Sequence, residues 1–344
     1  MNRSRSSVYT ALCAWPRVGL NGAPTPLRHL NHLSILLKRD VWVKCDNELA
    51  LGDATRKLGG NKVRKLDHLL MEARRRGARS ILAIGSAGSN HLAATSWYGR
   101  AMGFDVISVT YPQPMDKRAR LNRILIQQQS RKVFAARRVR DLPALLTRLG
   151  GLSSPTLFRM PMGGSSPLGA IGYIIAGMEY AFQVQAGGMP RPERVYLPVG
   201  SGSTLVGLAI GFTCAGLSTM LHGVRIVPRI VANRRTLRSL MMKTIRLLRE
   251  RDIVVPDVPD HMWHIDGRFV GRGYGHPTPE SRLAIDMAAK DGLELDPIYT
   301  GKAFAALSHP AVQRSHSSGR PWLFWHTLGP LPPDAVEGSP RRGK

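Results

Sequence analysis

The chain has 344 residues, 43% hydrophobic and 21% charged, an ordinary globular mix that excludes fibrous and low-complexity classes and suits about two domains. Lys and Arg number 49 against 23 Asp and Glu, a formal charge of +26. The excess sits in short scattered clusters such as Arg74–Arg76 and Arg234-Arg235, without interleaved aromatics, which argues against a specific nucleic-acid interface and leaves weak binding at low salt.

In chain order, the start MNRSRSSVYTALCAWPRVGL is basic, has no signal-peptide core, and carries Pro16 and Gly19, which interrupt an amphipathic transit helix. Leu33–Leu37 reads as helical and 41–45 as a strand. Leu58-Gly59-Gly60-Asn61-Lys62 is then a flexible turn feeding a helix, with Asn61 as its N-cap and Leu66, Leu69, Leu70 and Ala73 along one face. A lysine fixed on such a turn can hold a carbonyl cofactor as a Schiff base; the same pattern also occurs in solvated turn lysines. Ser80–Ile84, the turn Gly85–Asn90, a helix over 91–102 and a strand over 105–110 make a βαβ unit, whose carboxyl-end loops are where ligands bind. A helix over 118–129 follows, and 131–151 is basic without a clear period.

Pro161–Ser166 is a second Gly/Ser loop before a helix over 168–184. The strand 195–199 runs into Gly200-Ser201-Gly202-Ser203-Thr204 and an apolar helix over 205–215. Strand, Gly/Ser loop and helix N-terminus form an anion cradle or an ordinary βα turn. Without the Walker lysine or GxGxxG, a phosphate other than that of ATP or NAD is favoured. A strand over 223–227 and a basic helix over 233–251 come next, then Gly271–Gly275 with Tyr274. Thr278-Pro279 caps a helix to about 290, Asp296–Lys302 carries Tyr299 before a helix through Leu307, and 322–325 is a final strand. The tail 330–344 reads as disordered. No run approaches the ~18 apolar residues of a membrane helix. Three separated cysteines offer neither a disulfide framework nor a metal motif. A cytoplasmic protein is expected.

Taken together and in this order, Gly-Gly-Asn-Lys-x-Arg-Lys-Leu, Ser89-Asn90-His91, Gly163-Gly164-Ser165, the Gly200–Thr204 loop, Gly273-Tyr274-Gly275, Asp296-Pro297-x-Tyr299-Thr300-Gly301-Lys302 and His326-Thr327 resemble one family. It is that of D-cysteine desulfhydrase and 1-aminocyclopropane-1-carboxylate (ACC) deaminase, pyridoxal-phosphate (PLP) enzymes of the tryptophan synthase β-like fold. The resemblance spans about 15–328.

It implies an α/β fold of two domains, PLP fold type II, with mostly parallel twisted sheets flanked by helices. The larger domain would comprise 1–71 with 181–329 and the smaller 72–180. Lys62 would carry the cofactor and serve as base at the substrate Cα, with Asn61 beside it in the cofactor site. Asn90 would hydrogen-bond the cofactor's 3-oxygen. Gly200, Ser201, Gly202, Ser203 and Thr204 would hold the phosphate. Ser89 would meet the substrate, with His91 and Gly164 nearby; helix-start packing accounts equally for His91. Tyr274 and Tyr299 would face the substrate as proton-moving phenols, unless packed with satisfied hydroxyls.

Thr300 stands where the resemblance places the partner of the pyridine nitrogen, a glutamate in ACC deaminases and a threonine in desulfhydrase-like members. A hydroxyl leaves the ring more nearly neutral, enough for α,β-elimination with a good leaving group. Departures are Leu328 in place of a glycine, an altered Asp46-Asn47-Glu48, an extra loop over 53–58, and Ser203 where a third glycine is common. The expectation is a PLP-dependent lyase without a metal site, acting on a small amino acid resembling D-cysteine, as a homodimer. ACC deamination and an idle homologue binding polyanions are the alternatives.

Overall fold

The computed structural model of the chain describes residues 3–20, 22, 24–49, 58, 60–149, 154–309 and 319–329. Gly59, most of the expected extra loop and the tail 330–344 lie outside them.

Two sheets organise the molecule. The larger has the order β1 (Leu27–His29), β2 (Val41–Lys44), β10 (Trp322–Trp325), β7 (Arg194–Val199), β8 (Met220–Arg225) and β9 (Trp263–Asp266). All its pairings are parallel except β1 with β2. The central β10 is Trp-Leu-Phe-Trp, buried at every residue, as a strand covered on both faces must be. Pro198 lies past Tyr196, the last β7 residue paired with β10, so its missing N–H costs no bond on that side. The smaller sheet is wholly parallel, in the order β5 (Lys132–Ala135), β4 (Asp105–Tyr111), β3 (Ser80–Ser86) and β6 (Leu157–Met160).

Helices α7 (Pro167–Gln185), α8 (Ser203–Ala215) and α9 (Arg234–Arg249) bury one face of the large sheet, and α10 (Pro279–Ala289) and α11 (Thr300–Ser308) the other. Helices α3 (Lys62–Arg75), α4 (Asn90–Ala101) and α5 (Lys117–Gln129) pack in the core of the small sheet, and α6 (Leu142–Arg148) covers its remaining apolar strip. The expected domain limits at 71 and 180 fall inside α3 and α7. A helix packs as one body: Val63 and Leu66 of α3 already join Ile81 and Leu92, while Ile171 and Ile174 of α7 join Val195 and Leu205.

Candidate active site

A cavity of about 600 Å³ opens where the carboxyl ends of both sheets' strands converge, the position at which α/β folds bind ligands. Lys62, the first residue of α3, lies on its wall. Gly60 takes φ +93 and pairs with Leu328 in an antiparallel bridge, and the Asn61 N–H donates to the Thr327 carbonyl at 2.9 Å. Asn61 does not cap α3 with its side chain. Its backbone is already helical, and the Gly60 carbonyl accepts from Val63 N–H at 3.1 Å. The Asn61 amide instead donates to Thr204 Oγ1 at 3.4 Å. The Lys62 amine has no hydrogen bond or ion pair among the described residues, and burial pushes its ammonium down to about 8.

Gly200, Ser201, Gly202 and Thr204 line the cavity. Gly202 has φ +98 and α8 begins at Ser203, so the free N–H groups of the first helical turn lie at the loop. Ser203 is off the cavity wall, its hydroxyl buried without a partner among the described residues. The loop around 163–165 braces this turn: Ser165 Oγ donates to the Ser201 carbonyl at 2.8 Å, and a Cβ on Gly163 would stand 2.4 Å from Ser201 Oγ. Gly164 is buried beside the wall, where a Cβ would meet His91 and Lys65 at 3.2 Å.

Lys65 belongs to the Gly-Gly-Asn-Lys-x-Arg-Lys-Leu motif without a role of its own there. One turn after Lys62, it lines the same cavity, is 2% exposed, and has no hydrogen bond or ion pair among the described residues. Burial, with Lys62 nearby, holds its ammonium well below the usual lysine value. The signal was its i+3 spacing from Lys62, which puts both amines on one side of the helix.

Ser89 caps α4, accepting from Leu92 N–H at 3.2 Å, and with Asn90 and His91 lines the cavity. Burial keeps His91 neutral; its Nε2 donates to the Pro161 carbonyl at 3.1 Å, leaving Nδ1 buried and unpaired among the described residues. Across the cavity the Tyr274 and Tyr299 hydroxyls are 2.5 Å apart, with Ser86 Oγ 3.3 Å from Tyr274. Burial raises both phenols, so both are protonated at neutral pH.

Thr300 is fully buried and does not line the cavity. Its hydroxyl accepts from Asp296 N–H at 2.8 Å and donates to Asp296 Oδ2 at 3.0 Å, which holds the start of α11. Thr327, at the end of β10, does line it. No role was assigned to Thr327 from sequence.

The family model of pyridoxal-phosphate-dependent enzymes matches residues 18–327. The chain belongs to this family. A D-cysteine desulfhydrase of Klebsiella pneumoniae subsp. pneumoniae is 30% identical over 334 residues, 92% of this chain and 95% of that protein. One from Salmonella schwarzengrund is 31% identical over 331 residues, with the same coverage. Among solved structures, an ACC deaminase homologue superposes with a TM-score of 0.76 at 27% identity over 95% of both chains. Threonine deaminase isoform 2 of Solanum lycopersicum, at 13% identity and a TM-score of 0.65, shares the fold. The chain is thus a fold type II enzyme, and its cofactor is PLP.

The residues present fit that cofactor: a lysine amine without a partner among the described residues, a glycine turn opening a helix N-terminus, and a second buried amine on one cavity wall. No described helix is long and apolar enough to cross a membrane.

Proposed function

We propose that the enzyme catalyses α,β-elimination from a small amino acid of the D-cysteine type, giving a 2-oxo acid, ammonia and the leaving group. The observation that carries this reading is the Lys62 amine, unpartnered on the cavity wall with its ammonium pushed down to about 8, facing a turn built for an anion. When bound, PLP supplies the electron sink that makes the substrate's Cα–H acidic.

Lys62 Nζ holds the cofactor and, once released, takes the Cα proton. The first-turn N–H groups of α8, the Gly200–Gly202 backbone and Thr204 receive the phosphate, and Lys65 Nζ supplies the cationic partner that its burial otherwise withholds. Ser89 receives the substrate carboxylate at the start of α4. The Tyr274–Tyr299 pair, protonated at neutral pH, hands a proton to the leaving sulfur. Thr327, on the cavity wall, offers a hydroxyl and no carboxylate, which favours elimination over opening a cyclopropane. A cytoplasmic homodimer belongs to the same reading, checked by sedimentation and cell fractionation.

The test is absorbance with added PLP, followed by product release. A band near ~420 nm should form with the wild type and be missing in Lys62→Ala, as the Schiff-base role of Lys62 requires. Pyruvate should come from D-cysteine faster than 2-oxobutyrate comes from ACC. A protein that forms no band ends the enzymatic reading; faster turnover of ACC transfers it to deamination.

A further inference from the structure

Beside Asn90 on the cavity wall, on α5, stands Asn122, 1% exposed and assigned no role by the motifs. Its Nδ2 donates twice, to the Gly88 carbonyl at 2.9 Å and to Asn90 Oδ1 at 2.7 Å. Those two bonds fix both amides by elimination. A backbone carbonyl only accepts, so the end of Asn122 beside Gly88 must be its NH₂. The atom of Asn90 that meets the second hydrogen of that NH₂ must in turn be an oxygen. Asn90 then has a single remaining orientation: Oδ1 toward Asn122, Nδ2 away from it. Asn90 lies on the cavity wall, and its Nδ2 has no partner among the described residues. The arrangement is held at a cost, because Asn122 Oδ1 is buried without a hydrogen bond among the described residues. Flipping Asn122 would not relieve it, since that would set its oxygen against the Gly88 carbonyl.

We infer that Asn122 is a positioning residue which locks the Asn90 amide so that the cavity is offered a donor, and never an acceptor, at this point. Such a wall selects an anionic oxygen. With PLP as the ligand, the inference rests on the proposed function and assigns Asn122 the task of keeping Asn90 ready to donate to a cofactor oxygen. Asn122 borders the same cavity, but both hydrogens of its NH₂ are committed to Gly88 and Asn90, and its proposed action on the ligand runs through the Asn90 amide.

The discriminating variant is Asn122→Asp. At pH 8 a carboxylate has no hydrogen to give, so Asn90 turns its NH₂ toward Asp and presents Oδ1 to the cavity. Asn122→Ala removes the lock without imposing the wrong orientation. Full-length variants are titrated with PLP by absorbance, alone and combined with Asn90→Ala. The expected result is that Asn122→Asp weakens PLP binding ~10-fold or more, the scale of one hydrogen bond to a charged group, and Asn122→Ala weakens it less. In the Asn90→Ala background Asn122→Asp should cost less than about 2-fold, because there is no amide left to turn. Equal losses with and without Asn90 would make Asn122 a packing or direct-contact residue and overturn the inference. So would Asn122→Asp binding PLP as the wild type does, or Asn122→Ala falling as far as Asp. A wild type that takes up no PLP overturns the proposed function itself, a separate outcome visible before any variant is compared.

Discussion

The N–H of Asn61 donates to the carbonyl of Thr327 at 2.9 Å, so the residue before Lys62 is tied to the end of the central strand β10. Gly60 makes the approach possible: at φ +93 a Cβ would lie 2.5 Å from Gly329 N and 2.9 Å from the Thr327 carbonyl oxygen. Both are backbone atoms and cannot rotate aside. Gly60→Ala should therefore move Lys62 off the cavity wall and reduce PLP uptake and turnover at least ~10-fold, since catalytic geometry tolerates little displacement. Titration of the visible band and steady-state rates check this; wild-type values would show that the turn can shift without moving the lysine.

Lys62 predicts a pH dependence for cofactor uptake. Only the neutral amine attacks a carbonyl, and a lysine is neutral above its pKa. Burial brings that pKa down to about 8 from 10.5, so the rate of covalent PLP capture should rise with pH and level off just above 8. Stopped-flow absorbance between pH 6.5 and 10 measures it. A rate still climbing at pH 10 would mean that the amine behaves as an exposed lysine.

Much of the fold was legible where chemistry is local. The Trp-Leu-Phe-Trp run marks a buried strand, and the Thr278-Pro279 pair forms the expected cap, with Thr278 Oγ1 accepting from Ser281 N–H at 3.1 Å. Helix α1 (Arg3–Cys13) was missed because its arginines and serines mask a face that buries Leu12, and it ends before Pro16 interrupts. Strand β5 was missed because, at the sheet edge, none of its residues is fully buried. The partners of Asp46 and of Asn90 were illegible for another reason. Arg64, Tyr173 and Asn122 meet them only through tertiary packing, which no spacing rule encodes. Thr300 and Thr327 show the same limit: the motif marks two hydroxyls, and only packing reveals that Asp296 occupies the first.

The buried charge cluster carries a stability prediction. Arg64, fully buried, bonds Asp46 and Glu179, while the Tyr173 hydroxyl and Trp325 indole also donate to Asp46. Burial would raise the Asp46 carboxyl, but the Arg64 guanidinium outweighs it and holds the group below the usual carboxylate range. Arg64→Leu leaves two carboxylates buried without their common cation and should cost about 3–5 kcal/mol. The exposed Arg246→Leu should cost under ~1 kcal/mol. Thermal and denaturant melts of both variants compare them; equal losses would mean that Lys44 alone satisfies the cluster.

His326 sets an acid limit. The imidazole is 1% exposed, its Nε2 donates to the Glu294 carbonyl at 2.9 Å, and burial lowers its pKa to about 4. In the unfolded chain it titrates near ~6.5, so between pH 6.5 and 4 the unfolded state binds more protons and stability falls as pH falls. The loss across that window is on the order of 3 kcal/mol for one such group. His91 and His68, also lowered by burial, add to the same slope, so the readout is the difference between wild type and His326→Gln. Gln keeps a donor for Glu294 and has no proton to gain. Melts taken from pH 7 to 4 should show a shallower decline for the variant, by about one proton's worth of slope. Parallel curves would place the His326 titration at its unfolded value.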